Sequence, residues 1–189
     1  YWLSKPLRTG VGQRYNLRLD WGQDEFQVGV NLSYNNVAGV MKGSGRNTFS
    51  GSVNLGYDYK TLRFRNQTVI DINKSHNSPY GTFDEYVRMN PYWRTHDELG
   101  NLISKYEMIF EDEYAASQKN RIKYAFNPLS NAAGNSKDES AYTTITNNFS
   151  VEWEIATGLR LRGQLGLSST FSTTDVFLPP SHTKFMGSQ

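Results

Sequence analysis

Cysteine is absent from the 189 residues of this chain. Its absence excludes disulfides, a thiolate nucleophile, cysteine-bound zinc and iron–sulfur clusters. Long apolar runs are absent too, whereas a membrane-spanning helix needs about 20 predominantly apolar residues, so helical membrane proteins are excluded. The formal net charge is only +2, which is too small to predict a nucleic-acid partner.

Catalytic and metal-binding groups are sparse. The three histidines lie far apart in predicted loops: His76, His96 and His182. A metal site needs paired ligands at short spacing, so we predict none. Glu152 and Glu154 share one strand face, as a glycosidase pair would, but Arg160 and Arg162 lie opposite and predict charge pairing instead. We therefore predict no catalytic residue, no cofactor and no enzyme activity.

The chain is rich in aromatic residues, at 14%, and in segments where apolar and polar residues alternate. Such alternation predicts strands with two different faces. Six segments show it: about 14–21, 26–34, 48–59, 62–73, 143–155 and 159–171. Their apolar faces carry no charged residue. Tight joins at 22–25, 60–61 and 156–158 make three hairpins, and a long loop at about 74–142 precedes the third hairpin.

Three further features favour a membrane barrel over a soluble sandwich. The strands, at roughly 7–13 residues, exceed the usual soluble length of about 5–6. Tight and long connections alternate, as in outer-membrane barrels. Aromatic residues lie at both ends of the apolar faces, as interface belts do: Trp21, Phe26, Tyr57, Tyr59, Phe64 and Trp153 near the tight turns, and Tyr15, Tyr34, Phe49 and Phe171 at the far ends. We predict an all-β fold that is an antiparallel transmembrane β-barrel segment.

Two alternatives stay open at this point. One is a soluble β-sandwich that binds glycans through its loop aromatics, because half-buried sandwich strands alternate as well. The other is a complete small outer-membrane barrel of eight strands, the smallest number known. Segments 103–114 and 121–126 would supply its two extra strands, although their alternation is weak.

The polar faces predict a wet barrel interior. Charged residues that we expect to face the lumen are Arg18, Asp20, Asp58, Arg63, Arg65, Asp71, Glu152, Glu154, Arg160 and Arg162. Asp58 lies across its hairpin from Arg63, and two glutamates of the third hairpin lie across from two arginines. Opposite charges on facing strands are mildly stabilising, so we predict ion pairs there.

The long loop carries a cluster of aromatic residues outside the strands: Tyr80, Phe83, Tyr86, Tyr92 and Trp93. One interpretation is a platform that contacts a ligand or a partner protein, since long barrel loops carry recognition. The other is that these side chains pack the loop against itself and the barrel rim. Residues 83–87 are expected to form one short helical turn, and Gly100-Asn101 to mark a turn.

Several stretches resemble the barrel region of the SusC/RagA-type TonB-dependent outer-membrane transporters. They run in family order over nearly the whole chain: residues 7–13, 32–43, 46–51, 77–83, 89–94 with Asp97 and Glu98, 127–129, and 146–150 leading to Trp153. Each stretch is weak alone, and the match is specific in aggregate.

The resemblance implies a 22-stranded barrel with a plug in its lumen, in the outer membrane of a Gram-negative, Bacteroidetes-like bacterium. It implies TonB-driven import of large nutrients such as glycan pieces or peptides, with a SusD-like surface lipoprotein as a lid. The stretch at hand has no plug domain, no TonB-contacting segment and no closing strand. We therefore expect an interior part of the barrel, with lipid outside it and TonB contacts made through the missing plug.

Overall fold

The computed structural model describes residues 1–110 and 121–186, and the chain forms mainly antiparallel strands. The strands are β1 (Val11–Gln23), β2 (Phe26–Ala38), β3 (Gly45–Tyr59), β4 (Leu62–His76), β5 (Lys105–Phe110), β6 (Arg121–Phe126), β7 (Lys137–Ala156) and β8 (Leu159–Phe177). The short helices are α1 (Phe83–Val87), α2 (Leu129–Ala132) and α3 (Thr183–Met186), after a 3-10 turn at Trp2–Ser4. The all-β prediction is confirmed. None of the helices in the described ranges is long and apolar enough to cross a membrane.

Six long strands form one sheet in the order β1-β2-β3-β4-β7-β8, and every neighbouring pair is antiparallel. The six predicted strands and three hairpins are therefore confirmed. Asp24, Lys60 and Gly158 have positive φ angles of 51°, 54° and 85° at the three tight turns. Asp24 and Lys60 are the first residues of two-residue turns, where hairpin turns that match the twist of the strands need a positive φ. Gly158 is the second residue of the third turn, whose hairpin has a register irregularity between Glu154 and Ala156. Strands β4 and β7 pair directly, although residues 77–136 separate them.

The strands are longer than predicted, mostly at the end remote from the tight turns. The third hairpin begins at Lys137 and ends at Phe177, where the sequence predicted 143 and 171. Beyond the aromatic residues both faces are polar, so alternation stops while backbone pairing continues. The long loop is consequently shorter than predicted and occupies 77–136.

The two weakly alternating segments do not join this sheet. Strands β5 and β6 pair with each other in a separate two-stranded sheet. Residues 111–114 of the predicted strand lie outside the described residues. Within the described part of the chain, these two strands therefore do not extend the six-stranded sheet. The eight-stranded alternative predicted that they would.

The apolar face of the large sheet is uncovered. No residue on this face is buried, and most of its large side chains keep more than a third of their surface exposed, from Phe49 at 38% to Phe171 at 66%. The only buried residues in these six strands, Gly56 and Asn73, both lie on the polar face. A sheet that curves with one face inward crowds the side chains of that face, so this asymmetry indicates that the polar face is concave.

The hydrophobic core of the described residues lies outside the large sheet. Its buried members are Trp2, Tyr86 and Tyr106. Around them pack parts of a unit that we call the loop module, defined as residues 77–110 and 121–136. The N-terminal segment is part of this packing, because the Trp2 indole Nε1 donates to the Asn90 carbonyl at 2.9 Å.

Candidate functional site

The polar face of the sheet carries the predicted charged residues, and the structure brings most of them into ion pairs. Glu152 on β7 is the centre of the largest group. Its carboxylate lies 2.8 Å from the Arg162 guanidinium, 3.4 Å from Arg63 and 3.9 Å from Arg160. Glu154 lies 3.9 Å from Arg160. The predicted charge pairing across the third hairpin is confirmed.

The predicted ion pair between Asp58 and Arg63 is wrong, although the two residues are register partners. Asp58 instead binds Arg65 in a bidentate pair, at 2.5 and 3.0 Å. Arg63 turns toward Glu152, which lies directly opposite it on the next strand. The prediction failed because it considered each hairpin alone, whereas β7 lies beside β4 and offers Arg63 a second carboxylate.

The other charged residues of this face form smaller contacts. Arg18 pairs with Asp20 along β1 at 2.6 Å, and both are largely exposed. Asp71 accepts a hydrogen bond from the Ser50 hydroxyl at 2.5 Å. Exposed pairs of this kind contribute little to stability, typically under about 1 kcal/mol each. They make the face hydrophilic and fix where charge lies along it.

Between these charges the polar face is lined by amides, hydroxyls and glycines. A shallow groove of about 580 Å³ crosses β3, β4, β7 and β8 over Asn54, Gln67, Asn148 and Gln164. A second groove, of about 470 Å³, includes Gln27 and the Arg18–Asp20 pair. The amides and charged groups along these grooves offer many hydrogen-bond donors and acceptors, so the face suits a hydrated or polar neighbour.

The predicted aromatic cluster of the loop is divided by the structure into packed and exposed members. Trp93 stacks on Tyr106 with ring centroids 4.6 Å apart and an interplanar angle of 8°. Tyr80 also packs against the core of the loop module. Phe83 is 41% exposed on α1, and Tyr92 is 91% exposed. Only the last two have the free surface that a contact with another molecule needs.

Tyr86 was among the candidates for contact with a ligand or a partner protein, and this assignment is wrong. The residue is only 1% exposed and has no free surface for such a contact. Its hydroxyl donates to the Tyr80 carbonyl at 2.9 Å, and burial raises the pKa of its phenol. The helical turn that carries it, Phe83–Val87, is confirmed as α1. Tyr86 therefore anchors this turn to the core, as the packing interpretation proposed.

Sequence reasoning missed the residues that hold the loop module together. Asn127 is fully buried, and its amide Nδ2 contacts the carbonyls of Thr95 and Ile103 and the hydroxyl of Tyr106. Burial raises the pKa of Tyr106 to about 12, so its phenol stays protonated at neutral pH and donates to the Arg94 carbonyl. The only local signal was Asn127-Pro128, which indicates a turn and not a hub.

The predicted turn at Gly100-Asn101 is confirmed, with Gly100 at a φ of 86°. The carboxylate of Asp97 accepts from the backbone N–H groups of Asn101 at 2.7 Å and Leu99 at 3.0 Å. These bonds, the one from Asn101 foremost, hold the pKa of Asp97 below its usual value. The turn thus presents Leu99, which is 88% exposed, at the surface of the loop module.

The three histidines stay apart in the fold. In the described part of the chain, no group of three or more His, Asp or Glu side chains has a geometry that could hold a metal ion. Comparison with known proteins adds no assignment, since no protein-family model and no curated protein matches the chain. The SusC/RagA resemblance accordingly stays a prediction from the residues quoted above.

Proposed function

We propose that the chain is part of the barrel wall of an energised outer-membrane importer of large nutrients, glycan pieces or peptides, of the SusC/RagA type. In this proposal the apolar face of the six-stranded sheet contacts lipid and the polar face lines the lumen. A SusD-like surface lipoprotein covers the loop module. TonB acts through a plug that belongs to another part of the protein.

The observation that carries the proposal is the uncovered apolar face and its dimensions. Soluble proteins rarely expose an apolar patch of more than a few hundred Å². From Phe49 to Tyr59, strand β3 advances about 33 Å at roughly 3.3 Å per residue. With the strand tilt of about 35–45° found in membrane barrels, this corresponds to a band about 25 Å tall, the usual apolar height of such barrels.

The register supports the two aromatic belts. Tyr15, Tyr34 and Phe49 are successive register partners across three strands, and Phe171 lies at the other end of the same row. Tyr15 and Tyr34 stack with centroids 6.5 Å apart. At the opposite end, Phe26, Tyr57 and Phe64 form a second row. Two such rows, one near each end of the apolar band, are typical of membrane–water interfaces.

Three polar residues in the middle of the apolar face satisfy one another. The side-chain amide of Asn147 donates to the Thr68 hydroxyl at 2.8 Å and to the side-chain Oδ1 of Asn66 at 3.2 Å. Asn66 donates back to Asn147 at 3.2 Å, and the Thr68 hydroxyl lies 3.3 Å from the Asn66 oxygen. Polar groups in lipid must find partners within the protein. This mutually bonded set, the polar triad, is the kind of arrangement that lipid would favour.

Breaking the triad tests whether its surroundings are apolar. We expect Asn147→Leu to lower the free energy of unfolding of the membrane-embedded protein by about 1–3 kcal/mol, because Asn66 and Thr68 lose their partner without gaining water. The triple variant N66L/T68V/N147L leaves no polar group unpaired and should regain most of that loss. Urea unfolding in vesicles measures both. Equal stability of Asn147→Leu and the unmodified protein would contradict a lipid environment.

The two ends of the sheet explain why these tests use the complete protein that carries this stretch. Strands β1 and β8 are exposed along their whole length and pair on one side only among the described residues. Unpaired backbone groups in lipid cost several kcal/mol each. A wall of six strands therefore needs further strands on both sides, as the proposed larger barrel supplies.

Exposed aromatic residues of the loop module allow a test of whether the proposed surface lipoprotein binds there. We expect Phe83→Ala and Tyr92→Ala together to reduce co-purification of the surface lipoprotein by about tenfold, because exposed aromatic anchors dominate interface energies. Leu99→Ala is the control, since it removes an apolar side chain that is about as exposed as Tyr92, at 88% against 91%, from the same module. Undiminished co-purification in the aromatic double variant would remove these two residues from the lid contact.

The soluble sandwich is the weaker candidate. A sandwich needs a second sheet about 10 Å from the apolar face. In the described ranges, the only other sheet is the β5–β6 pair, and the apolar side chains of the large sheet stay exposed beside it. If the isolated chain were a detergent-free monomer that unfolds cooperatively, the lipid assignment of this face would be wrong.

A further inference from the structure

A row of hydrogen-bond donors lies directly beyond the aromatic row on the apolar face. The aromatic row runs Tyr15, Tyr34, Phe49, Ile72, Thr143, Phe171 across the sheet, and the next row on the same face runs Gln13, Asn36, Asn47, Lys74, Ala141, Thr173. We call Gln13, Asn36, Asn47, Lys74 and Thr173 the donor row. In a membrane barrel this row is the first level of side chains outside the hydrocarbon.

Lys74 is the one formal charge of the donor row, and the residue is exposed. The nearby carboxylates of Asp175 and Glu139 are taken by Lys137, whose Nζ lies 2.6 and 3.4 Å from them. In the part of the chain that the structure describes, Lys74 forms no ion pair. A lysine at this height lays its apolar stem along the band and places its charge at the headgroup level.

The neighbours of Lys74 form a groove of about 410 Å³ that includes Asn47, His76 and Thr173, together with Glu139 and Asp175, the two carboxylates that pair with Lys137. The Oδ1 of Asn47 accepts from the Asn36 amide, so the Nδ2 of Asn47 is left to donate. His76 lies against Gly45, where a Cβ atom would come within 2.7 Å of the imidazole Cε1. Only glycine at position 45 lets the imidazole ring of His76 lie against strand β3. The ring therefore places an imidazole nitrogen in the same groove as Lys74.

We propose that the donor row binds the phosphate of an anionic lipid headgroup, an inference that rests on the membrane placement proposed above. The occupant is lipid because the row continues the lipid-contacting band on the same face and at the height where headgroups begin. Lys74 supplies the charge, and the amide, hydroxyl and imidazole groups supply donors to the phosphate oxygens. Basic residues at this position attract anionic headgroups over zwitterionic ones.

The test compares lipids retained by the complete protein. Detergent-solubilised protein is equilibrated with equal amounts of phosphatidylglycerol and phosphatidylcholine, and bound lipid is measured by native mass spectrometry. We expect preferential retention of phosphatidylglycerol, and a loss of that preference by about fivefold in Lys74→Gln. Lys74→Arg keeps the charge and should keep the preference.

Arg46→Gln is the matched control, because Arg46 lies on the polar face next to Asn47 of the donor row and pairs with Ser75, which is next to Lys74. It removes the same charge at the same end of the sheet and should leave the lipid preference unchanged. Equal losses in Lys74→Gln and Arg46→Gln, or no loss in either, would overturn the donor row as the site. Displacement of phosphatidylglycerol by equimolar inorganic phosphate would assign the site to free phosphate and overturn the proposal that a lipid headgroup occupies it.

The same samples separate this inference from the membrane proposal. A folded barrel migrates faster on unheated gels than after boiling, whatever lipid it retains. A fast-migrating protein without lipid preference would overturn the donor row alone. A protein that shows no such shift and stays in solution without detergent would overturn the membrane placement and, with it, the donor row.

Discussion

Val53→Arg is expected to prevent most of the protein from reaching its folded state in the membrane, whereas Ser52→Arg is tolerated. Val53 lies midway between Phe49 and Tyr57 on β3, and its register partners are Val30 and Thr68. An arginine on the lipid face at the bilayer midplane costs about 2–4 kcal/mol. That is a substantial fraction of the about 5–15 kcal/mol by which folded proteins are usually stable.

Ser52 is the neighbouring residue and points to the opposite face, since strand side chains alternate. It faces Asn31, whose amide donates to the Ser52 hydroxyl at 3.3 Å. An arginine there lies on the polar face, which already carries the guanidinium groups of Arg18, Arg63 and Arg65, so its charge stays hydrated. The pair of variants therefore changes one face at a time while adding the same side chain at the same depth.

The measurement is the fraction of protein in the outer-membrane fraction that migrates as a folded barrel on unheated gels. We expect a strong fall for Val53→Arg and little change for Ser52→Arg. The soluble alternative predicts the reverse tendency, because an arginine on an exposed apolar face of a soluble sheet improves solubility. Equal amounts of folded protein for both variants would contradict a lipid-facing apolar side.

The sheet was predictable from the sequence because its signals are local. Period-two alternation fixed which side chains share a face, and short polar joins such as Lys60-Thr61 fixed the hairpins. The long loop was predicted at about 74–142, but the pairing of β4 with β7 across it was not predicted and is seen only in the structure. Alternation ends beyond the aromatic row, so the extensions to Lys137 and Phe177 had no signal and were missed.

The candidate sites were only partly predictable because they depend on contacts between distant residues. Tyr86 and Trp93 were grouped with the exposed Tyr92, and nothing near them in sequence indicates that Trp2 and Tyr106 cover them. The ion-pair partner predicted for Asp58 was wrong for a related reason. Long arginine side chains reach diagonal neighbours on the next strand, such as Asp58 from Arg65, as well as the residue directly opposite. Residue type and spacing identify a face, whereas three-dimensional packing decides which side chains on it are free.

Asn127→Ala is expected to open the loop module while leaving the six-stranded sheet intact. Asn127 is 0% exposed, and its amide hydrogens are shared among three acceptors, the nearest being the Ile103 carbonyl at 2.7 Å. Its Oδ1 accepts from the Leu129 backbone N–H at 3.0 Å, which starts α2. Alanine fills none of these roles, and each buried group left without a partner costs about 1–3 kcal/mol.

With two or more groups unpaired, we expect the loop module to lose about 3 kcal/mol of stability. Protease cleavage of a briefly opened segment follows the population of the open form, so the rate of cleavage within 77–136 should rise about a hundredfold. Asn135→Ala is the matched control, because it removes the same side chain from an exposed position. Similar cleavage rates for the two alanine variants would contradict the role of Asn127. A specific rise for Asn127→Ala, with the migration of the folded protein on unheated gels unchanged, would show that the loop module is held by its own buried polar centre, independently of the large sheet.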